Sequence, residues 1–278
     1  MASKMSVRWA FNISKWIPTE DQMLLLSSFI QREEMERISR FVFADDAKST
    51  LIGRLLIRKF VHLSTSIPYN QILLGRDERG KPYLLGAGET PISFNVSHHG
   101  EYVVLAGNTG SNIGVDVMTI ESPNNKNLPE YFRLMKRQFS GHEWNQIRRF
   151  QSEYDQLACF YRLWSLKESY VKNLGLGITV PLEQISFAIK SQLGPGLVVT
   201  DTKLYERGVY KYDWIFEETL LDERHTVAVA IQVKEGEQYE PQQYQFLQFK
   251  ELIKEAQAIH ECDPGFTSNF MMKAPKPH

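Results

Sequence analysis

The sequence predicts an α+β protein of two pseudo-symmetric lobes, each a small, mostly antiparallel sheet with packed helices. Three observations lead there. Apolar residues recur at helical spacing over 19–64 and then alternate in short runs over 72–119. The same order, helices before strands, returns over 129–233. An echo links the halves: Glu101-Tyr-Val-Val-Leu-Ala-Gly and His225-Thr-Val-Ala-Val-Ala-Ile each read as an apolar strand after a polar turn.

The first lobe is assigned to residues 1–120. Thr19-Glu20-Asp21-Gln22 ahead of Met23 to Leu26 has the form of a helix cap followed by an apolar face. Over 44–63, Leu51, Leu55, Leu56, Phe60 and Leu63 share one helical stripe, which Ile67-Pro68-Tyr69-Asn70 ends. Strand-like runs follow at 72–74, 82–85, 92–96, 102–106 and 113–118. Turns at Arg79-Gly80, His99-Gly100 and Asn108-Thr109-Gly110 separate them, so an antiparallel meander is expected.

Residues 121–129, rich in Asn and Pro, are the expected linker. The second lobe, 130–234, opens with helices expected at 129–138, 140–151 and 154–174, the last stopped by Gly175 and Gly177. Strands are expected at 185–189, 197–203, 212–217 and 226–233. The Gln- and Glu-rich stretch 235–278 reads as an appendage with one amphipathic helix at 246–259.

Composition removes several function classes. In 278 residues, Lys and Arg number 32 against 33 Asp and Glu, a net charge of −1. Non-specific nucleic-acid or anionic-membrane binders carry a basic excess, so neither partner is expected. Any anionic ligand must meet a local group of cations. Cys159 and Cys262 are too few for a disulfide scaffold or a four-cysteine zinc site. No apolar run approaches the ~18 residues that span a membrane. With few cysteines and no secretory signal pattern at the start, a soluble protein of the cytosol is expected.

Chemistry-bearing residues cluster in a few segments. Glu168 borders the apolar stripe of its helix and has Lys172 four residues on, so a solvated i,i+4 ion pair is the plain alternative to a functional role. Asp116 interrupts the apolar strand Ile113-Gly-Val-Asp-Val-Met118. An unpaired charge there is costly, so it faces a cation, a metal or water. Together the two carboxylates have the chemistry to hold Mg²⁺, which commonly takes one or two carboxylates and completes its shell with water and phosphates.

Phe94-Asn-Val-Ser-His-His-Gly-Glu-Tyr102 ends a strand in a polar turn. His98 and His99 lack the helical His-Glu-x-x-His zinc pattern, and Ser97 lacks a nucleophile elbow. The alternatives there are a bland turn and an anion site built on His98. Gly75-Arg-Asp-Glu-Arg-Gly-Lys imitates a Walker A loop, but Pro82 replaces the magnesium-binding Ser or Thr and a strand follows. Arg76, Arg79 and Lys81 remain available as direct phosphate ligands.

Together these segments resemble one family. Gly80-Lys81-Pro82, Phe94-Asn95-Val96-Ser97-His98, Gly114-Val115-Asp116 and Trp164-Ser-Leu-Lys-Glu-Ser-Tyr-Val-Lys172 stand in the order and spacing of Sfp-type 4′-phosphopantetheinyl transferases. Residues Val7 to Phe11 and Phe41 to Lys48 resemble the animal members. That resemblance implies the two-lobed fold of the family with its active site between the lobes. It implies transfer of the phosphopantetheine arm of coenzyme A to a serine of an acyl carrier protein, releasing adenosine 3′,5′-bisphosphate.

By the same resemblance, Asp116 and Glu168 hold Mg²⁺, Glu168 takes the serine proton and Lys172 neutralises the phosphate. Arg37, Arg76, Lys81 and His98 match positions for the 3′-phosphate and diphosphate, with Arg79 and Gly80 in the same turn. Asn95, Val96 and Ser97 line the nucleotide pocket. The implied partners are coenzyme A and carrier domains of fatty acid synthase and aminoadipate-semialdehyde dehydrogenase. Many bacterial members carry a third metal carboxylate where this chain has Met118, leaving water or a side chain such as His99 to complete the shell. The rivals are a P-loop kinase, which Pro82 opposes, and an inactive carrier-binding scaffold, which the intact Asp116, Glu168 and Lys172 oppose. For carrier docking, Lys136-Arg137 and Arg148-Arg149 are the candidate cations, the alternative being an ordinary solvated helix face.

Overall fold

A computed structural model describes residues 5–86, 91–123, 126–175, 181–234, 236 and 238–276. In chain order the first elements are β1 (Ser6–Asn12), α1 (Glu20–Ser27), α2 (Arg32–Ser39), α3 (Ala44–Thr65), β2 (Leu74–Arg76), β3 (Pro82–Leu84), β4 (Ile92–His99), β5 (Tyr102–Thr109) and β6 (Ile113–Thr119). Next come α4 (Leu128–Leu134), α5 (Gly141–Arg148), α6 (Glu153–Leu174), β7 (Ile185–Ala188), β8 (Lys203–Glu206), β9 (Val209–Tyr210), β10 (Trp214–Leu220) and β11 (His225–Gln232). The chain closes with β12 (Gln245–Phe246), α7 (Phe249–Leu252) and α8 (Pro264–Met271).

The chain divides into two units: one of residues 1–5, 9–110 and 245–278, the other of residues 6–8 and 111–244. The first carries a sheet in the order β12-β1-β5-β4, mostly antiparallel but with β12 parallel to β1. The 22-residue α3 packs on β4 and β5 and buries Leu51, Leu55, Leu56 and Phe60. Burial of each such side chain contributes about 1.5–3 kcal/mol. Strands β2 and β3 form a separate hairpin.

The second unit carries the antiparallel sheet β10-β11-β6 and a smaller sheet β7-β8-β9. The 22-residue α6 lies across β6 and β11. An aromatic group of Phe132, Phe139, Trp144 and Phe160 fills its other side, with the rings of Phe139 and Phe160 4.9 Å apart. Strands β5 and β11, on which the sequence echo falls, each have a strand on both sides in their sheets and each pack against a 22-residue helix. The α+β class stands.

Several local expectations change. The meander over 72–119 is two hairpins, and β6 pairs instead with β11 along seven positions, from His225↔Thr119 to Ile231↔Ile113. The units therefore part between Gly110 and Ser111, ahead of the expected linker, and Asn127 in that stretch caps α4. The run 197–203 forms only isolated bridges, Gly194↔Leu197 and Val199↔Glu218, because the true strand starts at Lys203.

Residues 6–12, for which the sequence pattern predicts no element, form β1. At the other end the helix expected at 246–259 is β12 followed by the four-residue α7, with α8 beyond. Leu247, Leu252, Phe266 and Phe270 are buried in the first unit, so this tail completes a core. Gly177 lies outside the described residues; Gly175 caps α6 with a left-handed φ of 66°.

Candidate active site

In the second unit, β6 and α6 bring Asp116, Glu168 and Lys172 together. Gly114 makes this possible. A Cβ there would stand 2.1 Å from the Ser169 carbonyl and 2.5 Å from the Asn173 amide nitrogen, so only glycine lets the strand lie against the helix backbone. Asn173 fastens the contact by donating its side-chain amide to Asn112 O at 2.9 Å and Ala230 O at 2.8 Å. Strand alternation then puts Asp116 on the same face as Gly114, toward α6.

Asp116 is 5% exposed, so the water-facing alternative is excluded. Lys172 donates to its Oδ1 at 2.6 Å. Glu168 sits one helical turn before Lys172 and is half-buried. Burial, followed by the negative charge of Asp116, pushes the Glu168 carboxyl above the usual range, and Lys172 only partly opposes this. The two carboxylates thus share one electrostatic neighbourhood, where a divalent cation would relieve their repulsion. Hard oxygen donors of this kind fit Mg²⁺. Met118 is half-buried and brings no oxygen ligand from its side chain, and no group of three His, Cys, Asp or Glu suited to a metal occurs among the described residues.

One motif residue behaves differently from its neighbours. Lys167 is fully buried, 2.9 Å from Glu143 Oε2, and donates to Leu182 O at 2.7 Å. Glu143 in turn accepts from Ser140 N and, at 3.0 Å, from Phe187 N. The pair ties α5, α6 and β7 together and is structural. Its visible trace in the sequence is the capping box Ser140-x-x-Glu143. Farther back on α6, Arg162 grips Glu218 of β10 at 2.6 and 3.0 Å.

In the first unit the cations occupy α2 and the β2–β3 turn. Arg37 is exposed on α2, and its charge, after burial, holds the half-buried Arg76 guanidinium below its usual range. Arg76 Nη1 donates to Gly80 O at 2.8 Å. The turn is a hairpin loop: Gly80 has a φ of 79°, and Asp77 Oδ1 accepts from the backbone of Arg79 at 2.9 Å and Lys81 at 2.8 Å. It opens into β3, so the Walker-like run is no P-loop. Burial also lowers the Lys81 ammonium, with Asp77 opposing.

On β4, Asn95 and Ser97 are buried and His98 is exposed. Val96 lies against α3, where a Cβ on Gly53 would meet its Cγ1 at 3.2 Å, so its part in a pocket would be through backbone. Missed by sequence reasoning was a buried carboxylate beside these cations, Glu34, 3.1 Å from Arg54.

Comparison with known proteins follows the same division. Residues 14–110 match the family described as "4′-phosphopantetheinyl transferase, N-terminal", and residues 112–230 match the "4′-phosphopantetheinyl transferase superfamily". The chain is 40% identical to the L-aminoadipate-semialdehyde dehydrogenase-phosphopantetheinyl transferase of Homo sapiens, over 96% of this chain and 92% of that protein. The corresponding protein of Xenopus laevis is 38% identical over 98% and 94%. A bacterial relative, the 4′-phosphopantetheinyl transferase gsp of Aneurinibacillus migulanus, is 31% identical over 71% and 74%. With the motifs of both halves in place and likeness running almost end to end, this chain belongs to the 4′-phosphopantetheinyl transferase family.

Proposed function

We propose that Asp116, Glu168 and Lys172 carry the transfer of 4′-phosphopantetheine from coenzyme A to a serine of an apo acyl carrier protein, with Mg²⁺ held by the two carboxylates. The observation that supports this most is the 2.6 Å contact of Lys172 with buried Asp116, with Glu168 one turn away on the same helix.

The serine Oγ bonds to the phosphorus that bears pantetheine. The bond from that phosphorus to the bridging pyrophosphate oxygen breaks, and adenosine 3′,5′-bisphosphate leaves with the electron pair. Glu168 accepts the serine proton, directly or through one water, and burial beside Asp116 raises its proton affinity in the direction a base needs. Lys172 neutralises charge that builds on the transferring phosphate. Mg²⁺, when bound, supplies further charge neutralisation on the pyrophosphate. Arg37, Arg76, Arg79, Gly80, Lys81 and His98 serve the phosphates of coenzyme A, and Asn95, Val96 and Ser97 the nucleotide.

The carrier domain of an aminoadipate-semialdehyde dehydrogenase is the partner that the relatives' name suggests, and fatty acid synthase carriers are a second. A monomer in the cytosol is part of this reading. Cys159 and Cys262 are free cysteines, and no helix of the described residues is long and apolar enough to cross a membrane. Mass spectrometry of an apo-carrier protein incubated with the enzyme, coenzyme A and Mg²⁺ tests the assignment. One added phosphopantetheine is expected; coenzyme A binding without transfer would favour the inactive scaffold.

A further inference from the structure

The first unit contains a buried charge cluster that the transfer chemistry does not use. Glu34 of α2 is 6% exposed, and its Oε1 stands 3.1 Å from Arg54 Nε on α3. Arg58, also on α3 and wholly buried, donates to Tyr69 O at 2.7 Å and Ile72 O at 3.2 Å. Gln31 joins α2 to β2, accepting from Leu74 N at 2.7 Å. Four buried atoms here have no hydrogen-bond partner among the described residues: Glu34 Oε2, Arg54 Nη1, Arg58 Nε and Arg76 Nη2. Arginines thus outnumber the buried carboxylate, with Arg37 a turn farther along α2. Such a cluster is short of negative charge.

We propose that Glu34 is a positioning residue for the 3′-phosphate of coenzyme A, setting Arg76 from the buried side and taking up a proton as the phosphate arrives. This rests on the reading that Arg37 and Arg76 hold that phosphate. The charged groups facing Glu34 are Arg54 and Arg58 from α3, Arg76 from β2, and Glu33 on its own helix. Tyr69 also faces it and is kept neutral by burial, while α8 brings no charged side chain. Burial pushes the Glu34 carboxyl up to about 7, against the pull of Arg58 and Arg76, so it is part-protonated at neutral pH. A phosphate on Arg76 adds negative charge to this neighbourhood. The bound state then holds more protons on Glu34 than the free state, and by linkage the 3′-phosphate binds more tightly as Glu34 protonates.

Isothermal titration calorimetry at pH 7, in buffers of different ionisation enthalpy, counts these protons. Coenzyme A and dephospho-coenzyme A are each titrated into the wild-type protein and the Glu34→Gln variant. With coenzyme A, the wild type is expected to take up more protons than Glu34→Gln, by roughly half a proton. With dephospho-coenzyme A the two proteins should agree. The difference between proteins cancels any proton that the phosphate itself loses among the arginines.

Equal proton counts in both proteins with coenzyme A would overturn the proposal. If Glu34→Gln does not fold, ¹³C NMR titration of the Glu34 carboxyl in the wild type decides. Its midpoint should rise with coenzyme A and not with dephospho-coenzyme A; no rise overturns the proposal. Arg37→Ala and Arg76→Ala test the reading beneath it. If they leave the preference for coenzyme A intact, the phosphate assignment fails; if they erode it while the proton count ignores Glu34, only the proposal fails.

Discussion

Lys172 Nζ lies 2.6 Å from Asp116 Oδ1, joining a helix and a strand that are far apart in sequence. The lysine side chain is 30% exposed and the aspartate 7%, so the pair sits at the edge of water with its carboxylate inside. That asymmetry suits a group that exchanges one cationic partner for another.

Asp116→Ala is expected to lower transfer by about 10²–10³ or more, because it removes charge stabilisation at the reacting phosphate. The variant should remain folded, since Lys172 can turn to solvent. Mass-spectrometric transfer rates at saturating Mg²⁺ measure this, and a rate near wild type would overturn the proposed metal role of Asp116. Glu168→Gln should be at least as damaging, since it removes a proposed ligand and the proposed base together.

Arg37→Ala, Lys81→Ala and His98→Ala should each raise KM for coenzyme A and narrow its advantage over dephospho-coenzyme A. Charge-assisted contacts are worth roughly 1.5–3 kcal/mol each. Steady-state kinetics with the two substrates is the measurement. An unchanged ratio in all three variants would place the 3′-phosphate elsewhere.

Gly114→Ala tests the backbone contact that sets Asp116 against α6. The added carbon would meet backbone atoms at 2.1 and 2.5 Å, and backbone cannot swing away as a side chain can. Overpacking of this kind costs typically ~1–3 kcal/mol, occasionally more. A lowered denaturant midpoint is expected, with lost transfer in whatever remains folded. A variant as stable and active as wild type would contradict the close packing.

Lys167→Ala should destabilise by about 3–5 kcal/mol, since it strands Glu143 as a buried, uncompensated charge. Replacing both residues by apolar ones of similar size, Lys167→Met with Glu143→Leu, should cost less than Lys167→Ala alone. Urea unfolding of the single and double variants checks this. A double variant no more stable than Lys167→Ala would mean that the buried charge is not the cause.

Carrier docking is tested by salt. Arg148 and Arg149 lie exposed over the rings of Trp144 and Phe150, at 5.1 and 4.8 Å, so they are held outward. Reversing both to Glu should raise KM for an acidic carrier protein and flatten the salt dependence of kcat/KM, because exposed charges act mainly on encounter. Coenzyme A binding should be unaffected. A salt dependence identical to wild type would move docking to another surface.

Sequence alone determined what repeats locally. The helical stripe of Leu51, Leu55, Leu56 and Phe60, the alternation around Asp116, and the i,i+4 relation of Glu168 to Lys172 follow from periods of 3.6 and 2. The family motifs were legible for the same reason, as short runs with set spacing. Tertiary structure decided what depends on distant partners. That β6 leaves its neighbours to pair with β11, and that the polar tail completes the first unit, are choices among strands of similar composition, made by long-range burial and register. Lys167 and Glu168 are adjacent in sequence and look alike as surface charges. Successive helical positions lie about 100° apart, so one is sealed against Glu143 while the other is half-open beside Asp116. Glu34, too, reads as one more charge on an acidic helix start. Only packing against α3 and β2 surrounds it with arginines and makes its proton matter.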